Sequence, residues 1–135
     1  MPAYTHDKHG SGGLKKYVSV REVLRAIPRN ASQNDIATAT RTDRYGAWDD
    51  SSITSCIMTN GGERGHPSGQ RGFTLRELAA LQGFPHEHFF LGGGVGVVRR
   101  QIGNAVPPLV AKVLFESVRK HLERSDAAEK RAQKL

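Results

Sequence analysis

Hydrophobic residues occur along this chain in three stretches of helical spacing, set in long polar and glycine-rich intervals. Leu75, Leu78 and Ala79, with Leu81 beside them, follow Thr74 at a period near 3.6. Thr74 and Glu77 stand three apart, so each side chain can satisfy the other's free backbone N–H; Gly83 and Pro85 stop the helix. The spacing predicts a helix over 75–83. Leu109, Val110, Val113, Leu114, Val118 and Leu122 make a second stripe, and Pro107 and Pro108 suit a first turn that needs no N–H. That predicts a helix over 107–123. Ser19 and Glu22 repeat the capping spacing before Val20, which predicts a third helix over 20–27, ended by Pro28. Residues 17–20 and 53–58 read as short strands. Residues 1–16 read as extended, and 29–52 and 59–70 as loop and turn. Charge and alanine dominate 125–135, which either extends the last helix or frays, and the solvated tail is the reading taken.

Apolar residues make up 37% of the 135, below the usual share for a globular domain, so the core is modest and marginal alone. Twenty Lys and Arg against thirteen Asp and Glu give a net charge of +7. That suits a polyanionic partner, although the basic tail supplies part of the excess. Cys56 is the sole cysteine, which excludes an internal disulfide and is compatible with a reducing compartment. Residues 1–13 lack the apolar centre of a signal peptide, and no run approaches a membrane span. The expected location is the nucleus of a eukaryote, or otherwise the cytoplasm.

Two stretches carry more than periodicity. One reads Arg71-Gly72-Phe73-Thr74-Leu75-Arg76-Glu77-Leu78-Ala79-Ala80-Leu81-Gln82-Gly83-Phe84-Pro85, the other Gln101-Ile102-Gly103-Asn104-Ala105-Val106-Pro107-Pro108. In wording, order and separation they resemble motifs IX and X of the DNA (cytosine-5) methyltransferases. Residues 17–28, with Thr5 and His6 upstream, resemble the segment that follows motif VIII there. The resemblance implies a mixed α and β piece of an S-adenosylmethionine-dependent methyltransferase: residues 1–28 after motif VIII, a short target-recognition region over 29–70, motifs IX and X over 71–108, a returning helix over 109–124 and the tail.

In that family a cysteine thiolate following a proline attacks C6 of a flipped cytosine, and S-adenosylmethionine supplies the methyl group. Cys56 follows Ser55 in an apolar run, where cysteine is ordinarily a small hydrophobe. No Glu-Asn-Val is present, no Arg-x-Arg stands at the motif VIII position, and no Phe-x-Gly-x-Gly follows a strand. The resemblance therefore implies that the catalytic residues lie on a Rossmann-like domain outside this chain, and that the chain alone is inactive. The alternative is a non-catalytic basic module that binds DNA or regulates an enzyme.

By the same resemblance, Asn104 and Ala105 would reach the methionine end of the cofactor; on local grounds Asn104 can equally cap the following helix. Thr74, Arg76, Glu77, Gln82, Gln101 and Gly103 would be architectural, with Arg76 and Glu77 bracing the target-recognition segment. Arg41, Arg44, Tyr45, Trp48 and Arg64 are the candidate DNA contacts: arginine forks onto guanine or phosphate, and aromatic rings stack on unpaired bases. The other reading is a solvated loop pinned by Tyr45 and Trp48. Residues 92–96 imitate a phosphate loop but lack its strand and its Lys-Ser/Thr ending, so they read as a flexible link. His66, His86 and His88 lack paired zinc-ligand spacing, and no metal site is expected.

Overall fold

The structure, a computed structural model, describes residues 5–39, 46–60 and 64–133. Four α-helices carry it: α1 (Val20–Ala26), α2 (Leu75–Leu81), α3 (Val95–Asn104) and α4 (Pro108–Ala132). Two short parallel strands, β1 (His6–Asp7) and β2 (Lys15–Lys16), pair near the N-terminus.

The two capping boxes form as their spacing requires. The Ser19 oxygen accepts the Glu22 N–H while the Glu22 carboxylate accepts the Ser19 N–H, and Thr74 and Glu77 do the same at the start of α2. Gly83, with φ 82°, makes the left-handed stop after α2. Together α1, α2 and α3 enclose one core of Val20, Ile57, Phe73, Leu78, Ala79, Phe90, Val98 and Ile102.

Four expectations change. Residues 92–96 do not form a flexible link throughout: only 92–94 is irregular, and Val95–Asn104 is the helix α3, with Val98 and Ile102 buried at i, i+4. Residues 53–58 are extended but join no sheet; Ile57 enters the core as a single buried residue. The parallel pairing falls on Lys15 and Lys16, just before the strand expected at 17–20. The last helix runs to Ala132, through the segment read as a tail, and its residues 118–132 are all exposed. Among the described residues no helix is long and apolar enough to cross a membrane.

Candidate functional site: the α2 node and the α3–α4 junction

Helix α2 is the hub. Arg76 sits on its inner face at 1% exposure. Its Nε donates to the Ser32 carbonyl at 2.9 Å and one terminal nitrogen to the Ser32 hydroxyl at 3.1 Å. The guanidinium also donates to the Pro85 and His88 carbonyls at 3.2 and 2.6 Å. No carboxylate among the described residues pairs with it. Four oxygens arranged around the fork replace its water, as a buried charge demands. Burial pushes the Arg76 pKa down, opposed by the charge of Glu87. A single side chain thus ties the 29–70 segment, through Ser32, to the turn after α2.

Neighbouring contacts reinforce that tie. The Arg76 N–H donates to the Gln33 carbonyl, and the Thr74 hydroxyl donates to Asn34 Oδ1 at 2.7 Å. Gln33 adopts φ 61°. Its side-chain amide pairs with both polar groups of the Phe90 backbone, Nε2 donating to the carbonyl at 3.0 Å and Oε1 accepting the N–H at 3.2 Å. A side chain here replaces a strand partner. Sequence reasoning missed Ser32, Gln33 and Asn34, because nothing local marks a glutamine for left-handed backbone. The one available signal was that a fully buried arginine needs several acceptors.

On the opposite side of α2, Glu77 accepts two hydrogen bonds from Arg71, both at 2.7 Å, and one from the Thr74 N–H. His66 Nε2 lies 3.7 Å from Glu77, while its other ring nitrogen contacts Ser68 at 3.0 Å. Burial alone would raise the Glu77 pKa, but the Arg71 fork, the Thr74 N–H and the charges of Arg71 and His66 hold it below the ordinary 4.5. Burial holds His66 below 6.5, partly offset by Glu77.

Gln82 Nε2 donates to the carbonyls of Ile102 and Ala105 at 3.3 and 2.8 Å, fastening α2 to the end of α3. Gln101 Nε2 donates to the Leu91 carbonyl at 2.7 Å and closes the glycine run. A Cβ on Gly103 would stand 2.8 Å from the Thr59 nitrogen and 2.9 Å from the Met58 carbonyl carbon, so α3 meets the 58–59 backbone directly. Gly103 therefore serves a close helix approach, with helical backbone and no turn.

Asn104 ends α3, and its exposed side chain has no partner among the described residues. It does not cap α4: Pro107 holds that position without a side-chain cap bond. The free amide suits a carboxylate. The Ala105 N–H already donates to the Ile102 carbonyl and the Ala105 carbonyl accepts from Gln82, so Ala105 offers its methyl group and no free donor.

Of the candidate DNA contacts, Arg41, Arg44 and Tyr45 lie outside the described residues. Arg64 is exposed beside the Ala47–Gly65 bridge. Trp48 is half-buried against the core and donates its indole N–H to Ser52 at 3.1 Å, which turns it toward the body of the protein. Cys56 is exposed, contrary to the apolar setting expected for it. No strand precedes the 92–94 run, which leads into α3. The three histidines do not converge: His66 faces Glu77, His88 stacks on Phe84 and Phe90, and the His86 Nδ1 is buried without a hydrogen-bond partner among the described residues. Among the described residues no three His, Cys, Asp or Glu side chains gather into a metal-sized group.

Comparison with known proteins gives this geometry its context. The C-5 cytosine-specific DNA methylase family matches residues 4–120. The type II methyltransferase M.NgoFVII of Neisseria gonorrhoeae is 35% identical over 150 residues, covering 87% of this chain and 40% of that protein. M.Sau96I of Staphylococcus aureus is 34% identical across 73% of this chain and 27% of its own length. M.AplI of Arthrospira platensis is 50% identical over 58 residues, 42% of this chain and 16% of that protein. The chain spans less than half the length of these curated relatives, and no solved structure matches it. With the family matching 117 of the 135 residues, the chain belongs to the C-5 cytosine-specific DNA methylases.

Proposed function

We propose that this chain is the C-terminal, target-facing portion of a DNA (cytosine-5) methyltransferase, acting with a Rossmann-like catalytic domain that bears the nucleophile and the cofactor loop. S-adenosylmethionine, when bound, supplies the methyl group that ends on C5 of cytosine. No residue of this chain is assigned to bond making. Asn104 holds the methionine end of the cofactor with its free amide, while Ala105 packs against it. Arg76 and Gln82 position the 29–70 segment and the α3–α4 junction relative to each other, and Arg64 meets the DNA backbone from the exposed rim, with Arg41, Arg44 and Tyr45 beside the target.

The uncovered face of α4 carries this reading. Val110, Val113, Leu114, Phe115, Val118 and Leu122 are all exposed, Phe115 at 73%. A helix with that much apolar surface requires a partner body. Its first turn begins four residues beyond Asn104, so a domain docked on α4 sits beside that amide. The sequence adds that no Pro-Cys dipeptide is present.

The test is reconstitution. The 135-residue chain is mixed with a separately produced chain bearing the Pro-Cys and Phe-x-Gly-x-Gly segments of a relative such as M.NgoFVII, and transfer of labelled methyl groups to DNA is measured. Activity is expected in the mixture and in neither part alone. Methylation by the 135-residue chain unaided would overturn the assignment. The non-catalytic alternative gains if the chain binds DNA in a salt-sensitive way yet never restores methyl transfer.

A further inference from the structure

Away from α2, Lys8 and His9, the end of β2 with Tyr17, and the 51–53 loop line a half-open cavity of about 370 Å³. Its walls include Lys8, His9, Lys16, Tyr17, Ser52 and Ile53. That volume falls within the range of small-ligand pockets. Neither the Lys8 nor the Lys16 side chain makes a hydrogen bond or ion pair among the described residues, although the charge of Lys16 acts on Glu22. Tyr17 and Ile53 are 40% and 53% exposed and give it an apolar side.

The surrounding carboxylates are already engaged. Asp7 accepts from the N–H groups of His9, Gly10 and Ser11 and from the Ser11 hydroxyl, so the 8–14 loop closes around it. Glu22 is held by the Ser19 N–H and hydroxyl, both at 2.7 Å. Asp49 is held by Ser51, and Asp50 by a bidentate Arg21. With the anions turned into their own hydrogen bonds, the uncommitted charges on the wall are ammonium groups. Two lysines without a hydrogen-bonded partner beside an aromatic ring match the chemistry that holds a nucleotide unit, with cations on the phosphate and an aromatic face on sugar or base.

We propose that this cavity is a nucleotide-unit site, taking a backbone phosphate of the DNA on Lys8 and Lys16, with the adjoining sugar against Tyr17 and Ile53. It rests on the DNA-facing reading above and brings residues 8–17 to the 51–53 part of the 29–70 segment as one contact.

The experiment is fluorescence anisotropy of a labelled duplex oligonucleotide titrated with the 135-residue chain over a series of salt concentrations. The variants are Lys8→Gln/Lys16→Gln, Lys8→Arg/Lys16→Arg, and Lys120→Gln/Arg124→Gln, which removes the same charge from exposed α4. Circular dichroism confirms that each is folded. The Gln pair at the cavity is expected to lower the slope of log affinity against log salt by about 2, the α4 pair to leave it nearly unchanged, and the Arg pair to restore it. Tyr17→Ala weakens binding while leaving the slope in place. Equal losses from the cavity and α4 pairs, or none from the cavity pair, overturn the site while the DNA reading survives. Failure of the unmodified chain to bind the duplex sinks the DNA reading and this site together. Inorganic phosphate distinguishes the source: shifts of the 8–17 amide resonances on adding phosphate, which the duplex does not displace, would make this a free-phosphate pocket and reject the DNA assignment.

Discussion

At the residue scale, Arg76 concentrates the largest consequence in one side chain. Arg76→Ala removes the packing of the fully buried arginine stem and takes the donor from the Ser32 and His88 carbonyls, while the Pro85 carbonyl keeps the His88 N–H. A loss of about 2–3 kcal/mol is expected in urea unfolding. Arg76→Lys keeps the charge, but a single ammonium cannot reach four acceptors arranged for a planar fork, so it recovers only part. The Glu77 cluster sets a pH dependence. A carboxylate whose folded pKa is depressed stabilises above its unfolded value, and that contribution is lost as pH falls through the folded value. His66, held below 6.5, acts in the same direction, because the unfolded chain takes up its proton first. The urea midpoint is therefore expected to decline from pH 7 toward pH 5 through His66, and more steeply below 4.5 through Glu77. Glu77→Gln should flatten that acid limb, and an unchanged limb would remove Glu77 from the account. The identity of these residues was legible in the sequence, since Thr74, Arg76 and Glu77 stand in a recognisable phrase. Their partners were not. Ser32 and Asn34 lie about forty positions away, and no periodicity encodes which carbonyl a guanidinium will meet.

At the element scale, legibility followed local hydrogen-bonding chemistry. The starts of α1 and α2 were readable because a capping box is written within four residues. Helix α3 was not. Its sequence, Val-Gly-Val-Val-Arg-Arg-Gln-Ile-Gly-Asn, combines β-branched residues with two glycines, all poor helix formers, and has no side-chain cap. Burial of Val98 and Ile102 against α2 and Ile57 outweighs that propensity, and the i, i+4 spacing of those two was the signal available. The two glycines differ in kind. Gly103→Ala drives a methyl into the 58–59 backbone at 2.8–2.9 Å and should destabilise by about 1–3 kcal/mol. Gly96→Ala meets nothing within 4 Å and should stabilise by about 0.5–1 kcal/mol. Thermal melts of the pair decide the point: equal shifts would mean that α3 does not lie against that backbone.

For the whole molecule, surface area tells most. A self-contained globular protein of this mass exposes roughly 7,000 Å² by the usual scaling, whereas this chain exposes 9,779 Å². The apolar stripe of α4 was plain in the sequence; what covers it lies outside any periodicity, because a stripe specifies burial and not the burying body. Leu114→Gln with Val118→Gln alters exposed positions, so the free chain's melting should move by no more than about 0.5 kcal/mol. The same pair should abolish reconstituted methyl transfer and reduce binding of a hydrophobic dye. Full activity in the mixture would show that α4 docks nothing.

The carbonyls of Ala39 and Gly46 each accept a backbone N–H, from Gly72 and Gly65 respectively. Both donors flank Arg71 and the start of α2, so the approach to α2 clamps the 29–70 segment at two described points. A change that shifts Gly65 or Gly72 would therefore be felt at Gly46 and Ala39 before it reached the helices.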